Sequence, residues 1–172
     1  GTTAFDMNFT EIAEEAWERA GREIKSGYDL RTARRSMNLM LIEWQNKGIN
    51  MWTIDEGTLP LIASQATYTL PADTIDLLDH VIRTGSGSTQ SDITISRISV
   101  STYSSIPNKL SESRPVLLWI NRLGGAPVVT VWPVPNNGTY TLQYWRMRRM
   151  EDAGAGIETP DVSFRFYPAL VA

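Results

Sequence analysis

Apolar residues recur at helical spacing near the start of the chain. Asn8 and Glu11 have the spacing of a capping box, and Gly21 supplies a C-terminal stop. This pattern predicts a first helix from about Phe9 to Ala20. Its apolar stripe consists of Phe9, Ile12, Ala13, Ala16, Trp17 and Ala20.

A second amphipathic stretch follows. Asp29 is the expected N-cap residue, and Lys47 and Gly48 are expected to close the helix. A second helix is therefore predicted to run to about Lys47. Its main apolar stripe consists of Leu30, Ala33, Met37, Met40, Leu41 and Trp44. The main stripes predict that Trp17 and Trp44 are buried between the helices.

After Gly48 the pattern changes to short runs of β-branched and aromatic residues, which are typical of strands. Turn sequences separate the runs at residues 85–88, 124–125 and 136–138, and the last two are expected to provide the positive φ angles of hairpins. An antiparallel sheet region of about 100 residues is predicted. The predicted strands are Met51 to Ile54, Thr58 to Ala63, Leu77 to Thr84, Ile93 to Ile98, Val116 to Asn121, Val128 to Trp132 and Thr139 to Met147.

The last 22 residues begin with a linker rich in glycine and alanine, from Glu151 to Thr159. Residues 161–164 then resemble a capped entry into another helix, with Phe166, Leu170 and Val171 expected to be buried. So short a helix is marginal alone. We therefore expect either that the natural chain continues or that this segment docks on a partner and is poorly ordered until it does.

The order of these elements predicts an α+β fold. The N- and C-terminal helices are expected to form a helical bundle with an inserted antiparallel β region. The predicted parts are a helical hairpin (8–48), a β-rich insertion (50–149) and a linker with the start of a C-terminal helix (150–172). A chain of 172 residues fits a single domain, 1–172.

Composition restricts the function classes. The chain carries 16 basic and 19 acidic residues, a formal charge of -3, which gives no overall attraction to nucleic acid. It has no cysteine, which excludes disulfides and thiolate zinc sites and suits synthesis in a reducing cytoplasm. No apolar run approaches the roughly 18 residues of a membrane span, so no membrane partner is expected.

Asp76, Asp79 and His80 form the one acidic cluster beside a histidine. On a helix this spacing could converge on a metal, but a strand places Asp76 and His80 on one face and Asp79 on the other. We therefore interpret them as solvated strand or turn residues. The sequence predicts no catalytic, metal-binding or cofactor-binding residue.

Two arginine clusters occur, one at Arg31, Arg34 and Arg35 and the other at residues 146, 148 and 149. Three interpretations stay open: ion pairs with the glutamates of the first helix, a contact with another subunit or partner, or DNA binding. Leu39 and Ile42 give the second helix an additional apolar edge, typical of a helix that is deeply buried or shared between subunits. The candidate interface residues are Arg31, Arg34, Arg35, Leu39, Ile42, Phe164, Phe166, Leu170 and Val171.

The stretch from Tyr28 to Trp52, YDLRTARRSMNLMLIEWQNKGINMW, together with residues 66–71 (ATYTLP), resembles the head-to-tail adaptor family of short-tailed phages. This family is also called packaged-DNA stabilisation proteins or tail accessory factors. Its members pair a helical hairpin ending in a phrase like Glu43-Trp44 and Gly48-Ile49 with a β-rich insertion. A C-terminal helix then begins near a phrase like Pro168-Ala169-Leu170. The order of elements agrees over nearly the whole chain.

The resemblance implies a structural, non-enzymatic virion protein at the portal vertex. It implies a homo-oligomeric ring, commonly of twelve subunits, that joins the portal protein to tail nozzle or tail fibre proteins and helps to retain packaged DNA. DNA would pass through the lumen without sequence-specific binding. The resemblance also implies that the C-terminal helix docks on the portal.

Two other classes of protein are compatible with the pattern. One is a β-rich carbohydrate-binding module that uses Trp119, Trp132 or Trp145 as stacking platforms. The other is a hydrolase carried in a virion, for which the sequence offers no paired carboxylates in a recognisable setting.

Overall fold

The computed structural model describes residues 1, 3–49 and 51–172, and these divide into two compact units. The helical unit comprises Gly1–Thr53 and Met150–Ala172, and the β unit comprises Ile54–Arg149. The units contain four α-helices and two four-stranded sheets in total among the described residues. The α+β class predicted from the sequence is thereby confirmed.

The helical unit begins with α1 (Phe9–Arg19) and α2 (Gly27–Asn46). The predicted capping box is present: Glu11 N–H donates to Asn8 Oδ1, and Asn8 N–H donates to Glu11 Oε2, each at 2.9 Å. The prediction of Asp29 as N-cap of α2 is wrong. Ser26 has an extended backbone and accepts a hydrogen bond from Asp29 N–H at 3.4 Å, so α2 begins at Gly27.

The C-terminal part of the helical unit contains a single 3₁₀ turn, Phe164–Phe166, followed by α4 (Tyr167–Val171). Residues from α1, α2 and this segment share one apolar core. Trp44 packs at the edge of that core, and both Trp44 and Trp17 are half-buried. The prediction that both indoles are buried between the helices is therefore wrong. The buried members are Phe9, Ile12, Ala13, Met37, Leu41, Ala153, Val162, Tyr167 and Val171.

The linker segment, residues 150–158, is attached to both long helices by its backbone. Phe9 N–H donates to the Glu158 carbonyl and Thr10 N–H to the Gly156 carbonyl, each at 3.1 Å, which satisfies N–H groups that the first turn of a helix leaves free. Gly156 has a φ of +96° and its missing side chain faces Phe9. Ala153 is buried in the core, so the linker segment contributes to the packing of the helical unit.

The β unit consists of two four-stranded sheets, ordered β1-β8-β3-β4 and β2-β7-β6-β5. Buried residues of both sheets, Leu77, Ile82 and Leu142 of one and Leu118 and Val129 of the other, form a common core. The strands are β1 (Ile54–Pro60), β2 (Thr67–Thr69), β3 (Thr74–Thr84), β4 (Ser91–Thr94), β5 (Ser96–Arg97), β6 (Leu117–Asn121), β7 (Val128–Trp132) and β8 (Thr141–Arg148).

The predicted β-rich insertion, 50–149, differs from the observed structure in several places. Met51–Thr53 is a 3₁₀ turn, not a strand, and a short helix, α3 (Val100–Ser104), was not predicted. Strands β5 and β6 pair in parallel, so the sheets are not purely antiparallel. The turns at 124–125 and 136–138 have no positive φ angle, because loops longer than two residues leave room for ordinary backbone angles there.

Strand β3 carries two irregularities in its pairing with β8, one of them between Leu77 and Asp79. The extra residue brings Leu77, His80 and Ile82 to the buried side, although an unbroken strand would alternate them differently. The prediction that His80 is solvated is wrong, since the residue is only 6% exposed. The bulge is the physical reason, and it could not be read from the alternation of side chains.

Candidate assembly surface

One face of α2 is directed away from the apolar core and carries three large exposed hydrophobic side chains. Tyr28 is 67% exposed, Leu39 is 62% exposed and Ile42 is 55% exposed. Arg31 and Arg35 are exposed on the same side of the helix, at spacings of three and four residues from these neighbours. We call Tyr28, Arg31, Arg35, Leu39 and Ile42 the outer face of α2.

The local sequence explains why this face is outward. The alternate stripe of α2, which includes Met37 and Leu41, is buried against α1, and an α-helix presents residues three or four apart on one side. The outer face is therefore the side that the fold of the helical unit does not cover. Exposed apolar groups interleaved with arginine are typical of protein-binding surfaces.

The three arginines predicted as interface residues lie in different environments. Arg34 Nη1 donates to the Gly154 carbonyl at 3.0 Å and holds the linker segment on α2. Arg31 and Arg35 have no ion-pair partner among the described residues, so the interpretation of these two as ion-pair partners of the α1 glutamates is not supported. Their guanidinium groups are available for a contact outside the chain.

Two polar residues of α2 that sequence reasoning missed also hold the linker segment. Asn38 Oδ1 accepts a hydrogen bond from Ala153 N–H at 2.9 Å, and Gln45 Oε1 accepts one from Met150 N–H at 3.2 Å. With Arg34, they form a polar edge along the helix. These residues have the spacing i, i+4 and i+11, which places them on one side of an α-helix. That spacing could have indicated that a second side of α2 is covered, here by the linker segment.

The C-terminal interface candidates are not equally exposed. Phe164 is exposed and its ring stacks on that of Phe5, with 5.2 Å between centroids. Phe166 lies against the indoles of Trp44 and Trp52, with centroids 5.8 and 5.0 Å away. Only Phe164 is therefore an accessible anchor in this conformation.

The remaining two C-terminal candidates belong to the interior of the helical unit. Leu170 is half-buried, and Val171 is 5% exposed within the apolar core. Neither side chain is brought together with the outer face of α2. An interface role for Phe166, Leu170 and Val171 would require this segment to leave the core.

The second arginine cluster is engaged within the β unit. Arg146 Nη1 lies 2.7 Å from Asp73 Oδ1, and its Nη2 lies 3.3 Å from Asp55 Oδ2. Arg148 Nε lies 3.1 Å from the same Asp55 oxygen. The hydrogen bond from Arg146 lowers the pKa of Asp73. These contacts support the interpretation that this cluster forms ion pairs within the chain. The partners are carboxylates of the β unit and not the glutamates of α1.

The acidic cluster beside the histidine has a structural environment. Asp76 is paired with Arg97 at 2.9 Å and Arg122 at 3.2 Å, while His80 is buried across the bulge. Burial lowers the pKa of His80, with the Asp79 carboxylate opposing and Arg97 adding to the shift. Within residues 1, 3–49 and 51–172, no three His, Asp or Glu side chains converge on a point that could hold a metal ion.

The tryptophans that a carbohydrate-binding module would use are already in contact with other groups. Trp119 stacks on Tyr103 with centroids 5.1 Å apart, and Trp132 Nε1 donates to the Asn108 carbonyl at 2.9 Å. Trp145 is half-buried in β8. A stacking platform needs a bare indole face, and the ring of Tyr103 covers one face of Trp119, which does not favour the carbohydrate-binding alternative.

No α-helix among the described residues combines the length and the apolar character required to cross a membrane.

Comparison with known proteins identifies a family for the chain. No curated protein matches the chain. A family match, however, extends over residues 7–172, which includes both helices, both sheets and the C-terminal segment. The chain belongs to the SU10 adaptor protein family.

Proposed function

We propose that this chain is a structural subunit of a phage virion, a head-to-tail connector that assembles into a ring between the portal protein and the tail. The family to which it belongs is one of adaptor proteins, and the match covers nearly the whole chain. The ring would be a homo-oligomer, commonly of twelve copies, with tail nozzle or tail fibre proteins attached below. It would help to retain packaged DNA and would have no enzymatic role.

The observation that carries this proposal is the outer face of α2. Leu39 and Ile42 are exposed there beside two arginines without ion-pair partners among the described residues. Exposing such a surface costs solubility unless a partner covers it, so the face is suited to a protein contact. Arginine on a largely desolvated surface also binds carboxylates with two parallel hydrogen bonds, which adds specificity.

The proposal includes the predicted domain organisation. Residues 1–172 would act as one adaptor domain, in which α1, α2 and α4 form the helical bundle and the β unit is the insertion. The chain is slightly acidic, with a net charge of -3, which suits a lumen through which DNA slides without being held. DNA would therefore pass through the ring without sequence-specific readout.

Electron microscopy of the purified chain mixed with its cognate portal rings tests the proposal. We expect a ring of extra density appended to the portal. The variant R31E/R35E should lose that density, because reversed charges would repel acidic partner groups. Arg34 is left unchanged, since it holds the linker segment.

The control is Arg114→Glu, which makes the same type of change at an exposed position of the β unit. It should assemble like the wild type. Bare portals with the wild-type chain would refute the connector function. Quenching of tryptophan fluorescence by glycans, without portal binding, would instead support the carbohydrate-binding alternative.

A further inference from the structure

The outward side of α1 is strongly acidic, and nothing described so far assigns it a role. Glu11, Glu14, Glu15 and Glu18 line one shallow depression together with Asp6. Glu15 pairs with Arg19 at 2.8 Å, and Glu11 belongs to the capping box. Glu14 and Glu18 are exposed and have no ion-pair partner in the described part of the chain. We call the four glutamates the acidic face of α1.

The acidic face of α1 and the outer face of α2 carry opposite charges, but they do not meet within one molecule. Ile12 of α1 and Met37 of α2 lie in the shared apolar core, and each charged face lies on the side of its helix away from that core. No ion pair joins the two faces among the described residues. Each face is therefore complementary to a surface that only another molecule can present.

We propose that the outer face of α2 binds the acidic face of α1 of a second copy of this chain. Arg31 and Arg35 of one copy pair with Glu14 and Glu18 of the next, so that copies join head to tail. This inference rests on the proposed function, because it supplies the subunit contact of the proposed ring.

The charges on the two faces have the same spacing, because Arg31 and Arg35 lie about 6 Å apart along α2 and Glu14 and Glu18 lie about 6 Å apart along α1. The outer face of α2 is longer than the acidic face of α1. At a rise of about 1.5 Å per residue, Arg31 and Ile42 are separated by about 16 Å along the axis of α2. Glu11 and Glu18 are separated by about 10 Å along α1. In an antiparallel crossing of the two helices, Arg31 meets Glu18 and Arg35 meets Glu14. The apolar end of the outer face then extends past the glutamates towards the N-terminal end of α1.

That end of the outer face also has a matching surface. Phe5 directly precedes Asp6, which lines the acidic depression, and its ring is exposed and stacked on the exposed Phe164. In the antiparallel crossing, Leu39 and Ile42 approach this aromatic pair. Burial of these four side chains supplies the apolar part of the contact, while the charges fix its register.

A contact between two different faces is heterologous. A chain of copies always presents one free acidic face at one end and one free outer face at the other, so association continues until the rotation between copies closes a ring. A two-fold contact, in contrast, would stop at a dimer. The charges are exposed, so the contact should weaken with increasing salt.

Cross-linking between single-cysteine variants tests the geometry directly, because the natural chain contains no cysteine. Glu14→Cys and Arg35→Cys are prepared separately, mixed at low ionic strength and treated with a short bis-maleimide. The mixture should yield roughly tenfold more cross-linked dimer than either variant alone. The same reaction is repeated on complexes with portal rings. Equal yields from one variant alone would show that like positions of two copies meet and would overturn the proposal, as would the absence of cross-links in both settings.

Charge exchange tests the chemistry. The variants E14K/E18K and R31E/R35E should each lose salt-sensitive self-association in sedimentation velocity. The combined variant E14K/E18K/R31E/R35E should regain it, because the signs are exchanged but still complementary. Recovery in the combined chain also shows that the single-face variants failed through charge and not through folding. If the combined variant stayed dissociated while Arg114→Glu associated normally, the pairing of these faces would be wrong.

The outcomes separate this inference from the connector function. Portal rings that carry the chain without any Glu14-to-Arg35 cross-link would retain the connector function and overturn the proposed contact. Specific cross-links in a chain that does not bind portals would support the proposed contact and refute the connector function.

Discussion

The indole Nε1 of Trp52 donates a hydrogen bond of 2.8 Å to the carbonyl oxygen of Asp161. This bond joins the end of the N-terminal part of the helical unit to the C-terminal segment, 109 residues further along the chain. Phe166 lies against the same indole, with centroids 5.0 Å apart. Trp52 is therefore one of the residues that hold the C-terminal segment in the core.

Trp52→Phe should loosen the C-terminal segment while leaving the aromatic contact with Phe166 largely intact. The substitution removes the only donor that the side chain offers and leaves the Asp161 carbonyl without it, at an expected cost of about 1 to 2 kcal/mol. Amide hydrogen exchange of residues 160–172 measures the effect, and exchange should accelerate there. Trp132→Phe is the matched control, since its indole bond to Asn108 lies in the β unit.

Unchanged exchange of residues 160–172 in Trp52→Phe would contradict this role of the indole. If exchange were already fast in the wild-type chain, the expectation that this segment is ordered only by a partner would regain support. Faster exchange of residues 160–172 in Trp52→Phe, with unchanged exchange in Trp132→Phe, would show that the helical unit anchors this segment.

Gly57 and Tyr144 are direct cross-strand partners in β1 and β8, and the tyrosine ring covers the glycine. A side chain at position 57 would overlap the ring atoms of Tyr144. Gly57→Val should therefore destabilise the β unit by about 1 to 3 kcal/mol, because the ring must move out of a packed core. The midpoint of urea unfolding reports the change.

Gly124→Val is the control for this experiment, because open space surrounds Gly124 and its φ is not in the left-handed region. That variant should unfold within about 0.5 kcal/mol of the wild type. Equal destabilisation by both substitutions would mean that a general cost of placing valine at a glycine position, and not the Tyr144 ring, sets the effect at position 57.

The sequence predicted local structure more successfully than pairing. Capping by Asn8 and the core stripe of α1 follow from residues within one or two turns of each other, and both are present. The register of β1 with β8 joins Gly57 to Tyr144 across 87 residues, and no local pattern specifies it. The bulge that places His80 inside has the same origin, because it arises only when β3 meets β8.

The exposed apolar edge of α2 could be predicted from the sequence because it depends on local spacing within one helix. Leu39 and Ile42 lie off the main apolar stripe, so their spacing already separates them from the core side of α2. Arg34 follows the same pattern as Arg31 and Arg35 in the sequence, yet it binds the carbonyl of Gly154. That partner is 120 residues away in the chain, and only the fold brings it to the helix.

Arg146 is the center of an ion-pair network that links β8 to Asp55 and Asp73, and its side chain is only 12% exposed. Arg146→Met should destabilise the β unit by about 1 to 3 kcal/mol, because Asp73 loses its ion-pair partner and Asp55 keeps only Arg148. The cost stays below that of a fully buried pair, since both carboxylates are partly exposed and can be hydrated. Chemical unfolding of the variant and of Arg149→Met, an exposed neighbour, measures the difference.

The same variant should change the acid sensitivity of the protein. Arg146 lowers the pKa of Asp73 in the folded state, so this carboxylate stabilises the fold above its unfolded pKa and the contribution is lost as the pH falls through the folded pKa. In Arg146→Met the contribution is absent, and the loss of stability in the acid range should be less steep. Parallel acid profiles would show that Asp73 is not stabilised by this pair.

His80 is the single histidine of the chain, and it is buried. Neither ring nitrogen makes a hydrogen bond of ordinary geometry in the described structure, although the Ile95 backbone is near enough to oppose the shift of its pKa. Burial lowers its pKa below the ordinary value of 6.5. As the pH falls below about 6.5, the unfolded chain therefore binds a proton before the folded one does. The neutral ring therefore contributes its full stabilisation above that pH. As the pH falls further towards the folded pKa, the free energy of unfolding declines by at most about 1.4 kcal/mol per pH unit.

His80→Leu removes the titrating group and should leave a β unit whose stability is nearly constant between pH 7.5 and 5.5, about one unit either side of the ordinary histidine pKa. The apolar replacement also removes two unsatisfied nitrogens, so the variant should be at least as stable as the wild type at pH 5.5. Urea unfolding at both pH values gives the four free energies that are needed. Since no other side chain of the chain ordinarily titrates in this interval, a decline in the wild type that is absent in the variant can be assigned to His80. The same decline in both proteins would show that the ring is protonated without cost in the folded state, and that solvent or a neighbouring carboxylate such as Asp79 reaches it.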